Sequence, residues 1–480
     1  MSNVSVEAIL RDRFGHDALY PLQKRIIERL LGGRDALVVL PTGSGKSLCY
    51  QLPALAIDEP GTTLVFSPLI ALMEDQVAAL KKRAVRAEYV NSTLTRRERE
   101  RRYAALAAGD YDLIYATPER MYKPEFIDAL ERVDGGVRLL AVDEAHCITK
   151  WGHDFRPAYQ EVGRFREQLG GPPTVALTAT ATRTVRQDIR DTLRLDEDRM
   201  PLFASGLDRP NLSLAVKGVW GDGDKVAAIR QVAQVAGGTG IVYFSLIKTL
   251  DHLAHELRHA WGRDRVAIYH GRLDPGEKKR IHDRFAASGS EDRLMLLATN
   301  AFGMGVDKPD IRYIVHAQIP GSVEAYYQEV GRAGRDGAPS RCVLLYDESD
   351  LAIQQEFVEW MNPSADLLRD AAATFAAGSR TDLDVDELRE RIIGRNRGDR
   401  RAEYCLIALE KLGVIQPRPG KERFRFVRRL DDDQIVPEEL AAKRGRDLRR
   451  LLDMVELVKS EDIRRFVLEY FGLDGTGESR

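Results

Sequence analysis

The stretch Ala36-Leu37-Val38-Val39-Leu40-Pro41-Thr42-Gly43-Ser44-Gly45-Lys46-Ser47 decides how this chain is read. Its apolar opening predicts a short strand, and residues 47–55 predict a helix. Between them, Gly43 and Gly45 let the backbone curl with its N–H groups turned inward. Such a strand, turn and helix form a cradle for phosphate: inward N–H groups, the positive end of a helix beginning near Lys46, and the Lys46 ammonium for β- and γ-phosphates. Ser47 supplies the hydroxyl that Mg²⁺ takes in such loops. Leu40 stands where the full pattern has its first glycine, so the segment alone could also be an ordinary turn. Its neighbours along the chain decide between the two.

Working outward, apolar runs at 63–66, 112–115, 138–142 and 174–177 predict further strands separated by helical stretches. Their apolarity is continuous rather than alternating, which suits parallel strands buried on both faces. A break rich in turn-forming residues follows at 201–210. The rhythm then restarts, with strands expected at 240–244, 265–269, 294–298, 313–316 and 342–346. Two α/β blocks with no repeated motif predict a functional cleft between them.

The chemistry-bearing residues fall just beyond strand ends. Asp143-Glu144-Ala145-His146 follows the 138–142 run, so Asp143 is a Mg²⁺ ligand through water and Glu144 is placed to orient or deprotonate an attacking water. Two acids capping a helix is the blander alternative for that pair by itself. In the second block, Arg332 and Arg335 lie three residues apart and are expected on one helix face, where they could meet γ-phosphate across the cleft. Nearby, small residues leading to Asp307 predict a tight loop near the nucleotide. Three such segments in this order indicate an ATP-driven motor.

Composition narrows the setting. With 72 basic and 74 acidic residues the net charge is -2, so any phosphate-binding track must be local. Cys49, Cys147, Cys342 and Cys405 are scattered without a Cys-x-x-Cys pair, against both a disulfide framework and a zinc site. The amino terminus is a poor signal peptide, and no run is long and apolar enough for a membrane span. These features predict a soluble intracellular protein, and the near-neutral charge neither announces nor excludes a nucleic-acid partner.

Together these residues resemble the RecQ-type DNA helicases of superfamily 2, over roughly residues 6–347. Phe14-Gly15, Tyr20-Pro21 and Gln23 are similar to that family's adenine-reading motif, with the glutamine on the base. The segment from Thr42 through Gly43, Ser44, Gly45, Lys46 and Ser47 resembles its phosphate loop, and residues 177–182 its coupling motif. Ser67-Pro68 and the segment from Thr117 resemble strand-contacting positions. Residues 298–337 resemble the motifs joining DNA contact to the arginine pair. Trp151-Gly152-His153-Asp154-Phe155-Arg156 is similar to the aromatic-rich loop that couples DNA binding to hydrolysis. Trp151 and Phe155 offer stacking surfaces, and Arg156 can meet phosphate.

The resemblance implies two RecA-like parallel-sheet motor domains, 1–205 and 206–346. Beyond them the expected order is a helical connector at 347–380, a winged-helix-like module at 381–430 and a C-terminal helical region at 431–480. Within the module, Leu383, Leu388 and Ile392 are expected on one helix, Ala402, Leu406, Leu409 and Leu412 on another, and Phe424-Arg425-Phe426 in a strand. The chain departs from the family at Ile463, which stands where the first zinc cysteine is usual, so no structural zinc is expected. ATP and Mg²⁺ are the implied cofactors. The implied partners are single-stranded and forked or tailed duplex DNA, and repair or recombination proteins, with a monomer as the working state. The implied activity is 3′-to-5′ DNA unwinding. A translocase or remodeller with little strand separation, a nonenzymatic annealing or scaffold protein, and an RNA helicase stay open.

Overall fold

The structure is a computed structural model that describes residues 5–41, 43–148, 157–205, 208–303, 308–377, 382–394, 398–418 and 423–472. The first sheet is built from β1 (Ala36–Val39), β2 (Thr62–Phe66), β3 (Ala87–Val90), β4 (Leu113–Ala116), β5 (Val137–Val142), β6 (Thr174–Thr178) and β7 (Leu202–Ala204). Its order is β3-β4-β2-β5-β6-β1-β7, with every pairing parallel. Because successive strand residues point to opposite faces, the inner strands feed two cores. Leu64, Phe66, Leu140 and Val142 enter one; Val65, Leu139, Ala141 and Val38 enter the other. Helices cover both faces, which is why these strands read as unbroken apolar runs.

The second sheet uses β8 (Leu212–Gly218), β9 (Thr239–Tyr243), β10 (Val266–Tyr269), β11 (Met295–Ala298), β12 (Ile311–His316) and β13 (Ser340–Tyr346). It runs β10-β11-β9-β12-β13-β8, again all parallel. The same alternation places Ile241, Leu296 and Ile314 in one core and Val242, Leu297 and Val315 in the other. Two parallel sheets thus present their carboxyl ends as the places where loops carry chemistry.

Three strands fall outside the expected apolar runs. β3, β7 and β8 are sheet edges; the mixed composition of β3 and β8, such as Glu88 and Lys217, goes with an unpaired flank, whereas β7 is apolar but only three residues long. β7 lies inside the stretch expected to be a break. It pairs with β1, whereas β8 pairs with β13, so the chain crosses between sheets after Ala204 and before Leu212.

The remaining chain is mainly helical with a small antiparallel sheet of β14 (Asp382–Leu383), β15 (Ile415–Pro417) and β16 (Phe424–Phe426), ordered β14-β16-β15. With helices Val385–Ile392 and Arg401–Lys411 this makes a winged-helix-like module. One expectation needs correction. Leu383 is not on the helix with Leu388; it sits in β14, because Asp384 caps the helix by accepting from Glu387 N at 2.8 Å. Helix Ala365–Ala377, expected in a connector, packs Leu368 and Phe375 into the module's own core with Leu383, Leu388 and Leu406.

The last two helices, Pro437–Lys459 and Ile463–Tyr470, turn back onto the second motor domain. Met454, Leu457, Ile463, Val467 and Phe471 join the same core as Tyr326 and Tyr327. Polar ties reinforce the seat: Arg464 bonds Asp208 and the Leu212 carbonyl, and Tyr470 Oη donates to Glu324 at 2.9 Å. Arg186 of the first domain donates to the Phe471 carbonyl at 3.2 Å. The hairpin therefore touches both motor domains. Phe471 is fully buried, so Phe471→Ala is expected to destabilise the protein by about 3–5 kcal/mol. Urea unfolding followed by tryptophan fluorescence measures this, and a loss below about 1 kcal/mol would mean the hairpin is not part of the second motor core.

Candidate active site

β1 ends in the glycine-rich turn, and helix Leu48–Ala56 follows two residues after Lys46. Gly43 and Gly45 adopt positive φ, +79° and +76°, which L side chains rarely take. Each glycine is also required by its surroundings. A β-carbon on Gly45 would lie 2.7 Å from Gln23 Nε2, and one on Gly43 2.7 Å from Arg335 Cδ. Lys46 Nζ is buried with no hydrogen-bond partner among the described residues. A curled backbone, a buried ammonium of this kind and the Ser47 hydroxyl fit a triphosphate with its magnesium.

Gln23 is buried, and its amide is a clasp on this loop. Its Oε1 accepts from Tyr20 N at 3.0 Å, and its Nε2 donates to the Ser44 carbonyl at 2.9 Å. The Tyr20 ring, by contrast, is exposed on the rim.

The acidic pair follows β5. Asp143 N donates to the Phe66 carbonyl at 2.8 Å, which pins the residue to the end of β2. Glu144 N donates back to Asp143 Oδ1 at 3.0 Å, and Glu144 holds a left-handed φ of +47°, a strained conformation for a residue with a side chain. That turn sets both carboxyls toward Lys46. Burial, and then the Glu144 charge, push the Asp143 carboxyl up to about 6. Burial also opposes ionisation of Glu144, but Lys46, the His146 hydrogen bond and Arg332 outweigh it and hold that carboxyl well below its ordinary value. His146 Nδ1 lies 3.2 Å from Glu144 and 3.0 Å from Thr178 Oγ1, linking the acid to the end of β6.

The arginines arrive from the second sheet, but not on a helix. Helix Val323–Val330 ends before them, and 331–337 is a series of turns in which Gly334 and Gly337 take positive φ. The expected shared helix face is therefore corrected: glycines at 331, 334 and 337 break the helix and separate the two side chains. Arg335 lies against Gly43 across the cleft. Arg332 is buried on its own domain, donating to the Gly303 carbonyl, and its charge reaches Glu144. Lys46, Asp143, Glu144, Arg332 and Arg335 thus meet at one cleft.

Other expected residues fall elsewhere. Thr42, Trp151, Phe155, Arg156 and Asp307 lie outside the described residues. Ser67, Pro68 and Thr117 stand at the ends of β2 and β4, and Ser67 and Thr117 are buried, so any strand contact there runs through backbone groups. Sequence reading missed the Gln23 clasp, the Gly303 anchor and the His146–Thr178 bond. The first two end on backbone carbonyls, which carry no residue signature; only the histidine after the acidic pair gave a signal.

Residues 20–188 match the model of the DEAD/DEAH box helicases, and residues 224–337 that of the helicase conserved C-terminal domain. These define a superfamily 2 helicase motor. The chain is 40% identical over 358 residues to the probable ATP-dependent DNA helicase RecS of Bacillus subtilis (strain 168), covering 74% of this chain and 70% of that protein. It is 41% identical over 355 residues to the ATP-dependent DNA helicase RecQ of the same organism, covering 74% of this chain but 58% of that protein. The chain belongs to the RecQ-type family of ATP-dependent DNA helicases. Among solved structures, helicase MrfA bound to DNA and AMPPNP aligns with a TM-score of 0.59 at 19% identity, over 89% of this chain and 62% of that one. Mycobacterium smegmatis Lhr bound to ssDNA and AMP-PNP gives 0.55 at 20%, over 88% and 60%. At that identity the likeness speaks for the fold. Among the described residues no helix is long and apolar enough to cross a membrane.

The cysteines sit in four separate cores: Cys49, Cys147, Cys342 and Cys405 are each buried in a different apolar cluster. Burial pushes the Cys49, Cys342 and Cys405 thiols up to about 12, away from the thiolate that zinc takes. Among the described residues no group of three or more His, Cys, Asp or Glu could hold a metal. Elemental analysis of the purified protein is expected to find zinc far below one atom per chain. One tightly retained zinc would require a ligand set outside these residues.

Proposed function

We propose that this cleft hydrolyses ATP to drive 3′-to-5′ movement on DNA and separation of duplex strands, in repair or recombination. The single observation that supports it best is the meeting of Lys46, Asp143 and Glu144 on one sheet with Arg332 and Arg335 from the other. The division into motor domains 1–205 and 206–346, with connector, module and C-terminal helices beyond, belongs to the same reading. So do a cytoplasmic location on DNA and a working monomer.

Magnesium bound with the triphosphate neutralises charge on the β- and γ-phosphates. Lys46 holds those phosphates while the Gly43-Ser44-Gly45 backbone cradles them. Ser47 and Asp143 supply oxygens for the metal, and Glu144, kept ionised by Lys46, His146 and Arg332, accepts the proton of the attacking water. Arg335 reaches the phosphate side of the cleft only when the sheets close, so closure completes the charge around the transferred group. Gln23 exchanges its hold on the phosphate loop for adenine, which ties base recognition to the shape of the loop. Alternate closing and opening changes the grip of Ser67-Pro68, Thr117 and the Trp151 loop on the strand, and stepping requires those two affinities.

Lys46→Ala is expected to lower turnover by roughly a hundredfold or more, while Glu144→Gln retains nucleotide binding and loses hydrolysis. DNA-stimulated phosphate release and fluorescent-nucleotide binding separate the two effects, and parental turnover in Glu144→Gln would overturn its role as base. Trp151→Ala is expected to spare basal ATPase while removing most DNA stimulation and unwinding. Loss of ATP binding in that variant would instead mark Trp151 as a packing residue. Matched DNA and RNA forks in one unwinding assay decide the sugar preference.

A further inference from the structure

Helix Val323–Val330 leads into the turn that carries Arg332, and Glu329 stands three residues before that arginine. Arg332 N donates to the Glu329 carbonyl at 3.1 Å, so the helical turn persists between them. At this spacing a carboxylate and a guanidinium can meet. A direct pair would neutralise the charge that Arg332 brings to the cleft. Among the described residues Glu329 is paired instead with His316, whose Nε2 lies 2.7 Å from Glu329 Oε2.

The sheet fixes the histidine. His316 ends β12 and stands opposite Tyr243, which ends β9, in the parallel register of the two strands. That register stacks their rings, with centroids 5.7 Å apart and planes 23° from parallel. Tyr326 packs on the same imidazole at 5.2 Å. The His316 side chain is only 1% exposed, so its one polar outlet is the Glu329 carboxylate. A carboxylate oxygen accepts and does not donate, which puts the ring's hydrogen on Nε2.

Tyr243 carries the arrangement on to the arginine. Its hydroxyl donates to the Phe302 carbonyl at 3.1 Å, next to the Gly303 carbonyl that takes Arg332. Arg332 also hydrogen-bonds that hydroxyl. Burial raises the Tyr243 pKa most, the Arg332 charge opposes it and the Glu329 charge adds to it, so both groups face one oxygen. Arg332 Nε is buried with no hydrogen-bond partner among the described residues, which leaves a donor for an anion in the cleft. A partly buried carboxylate needs a donor or a cation. Released from His316, Glu329 would find Arg332 within its own turn.

We propose that His316 is a positioning residue for hydrolysis: by holding Glu329 it keeps that carboxylate off Arg332 and leaves the guanidinium's charge for the transferred phosphate. The assignment rests on the ATP-hydrolysing reading above and adds a residue to it. Variants of the full chain test it, with DNA-stimulated turnover resolved into kcat and KM and folding followed by thermal unfolding. H316F keeps a ring on Tyr243 and removes the donor. Its kcat is expected to fall about tenfold or more, with KM for ATP within about twofold of the parent because the lost contribution belongs to the transition state. H316Q, whose amide N–H stands in for Nε2, is expected to restore most of the turnover. Adding E329Q to H316F removes the freed charge and is expected to raise kcat about fivefold above H316F alone, a coupling that independent sites do not show. A merely core-filling histidine would leave the double variant no better than the single. That result in folded protein, or parental kcat in H316F, overturns the proposal. Should H316F fail to fold, E329D decides: it is one methylene shorter, keeps the charge and loses the 2.7 Å bond, so its kcat is expected to fall as H316F would, and parental kcat sinks the idea. A parent chain without ATP turnover would instead defeat the hydrolysis reading.

Discussion

Charge must cross a gap between two separately folded sheets for this cleft to act. The first sheet gathers a buried ammonium and two carboxyls that hold one another at unequal ionisation, and the second contributes guanidinium groups by way of a turn. Arg335 packs so close to Gly43 that a β-carbon there would force its side chain to shift. The rest of the architecture serves this approach: parallel strands aim their carboxyl ends at the gap, and glycines release the helix so that Arg332 and Arg335 point differently. One is anchored at home on Gly303 and the other extends to the opposite loop.

That division of labour distinguishes a residue that senses the acid from one that senses the phosphate loop. Arg332 is buried and acts on Glu144 through its field. Arg335 makes its contact across the cleft, against Gly43 of the opposite domain. Motion of one sheet relative to the other therefore alters the second arginine's surroundings first.

Much of this was legible in the residues because burial and catalysis both constrain them tightly. Inner strands such as β1 and β11 are enclosed on both faces and are apolar throughout. Edge strands β3 and β8 are enclosed on fewer sides and tolerate Glu88 and Lys217, and β7 is only three residues long, which hides them from the same criterion. Phosphate-binding and acidic motifs stood out because their chemistry demands particular side chains at particular spacings. Helix Ala365–Ala377 did not announce its partner, since an alanine-rich stripe fits almost any neighbour. Likewise the double turn around Gly334 reads as helix if arginine spacing is weighed above glycine.

The carboxyl-terminal hairpin seats Ile463 and Phe471 in the apolar core of the second motor domain, while a hydrogen bond from Arg186 to the Phe471 carbonyl reaches the first. Its hold on the second domain consequently weakens on cooling, as the aversion of water for hydrocarbon fades, whereas the polar tie to the first domain does not share that dependence.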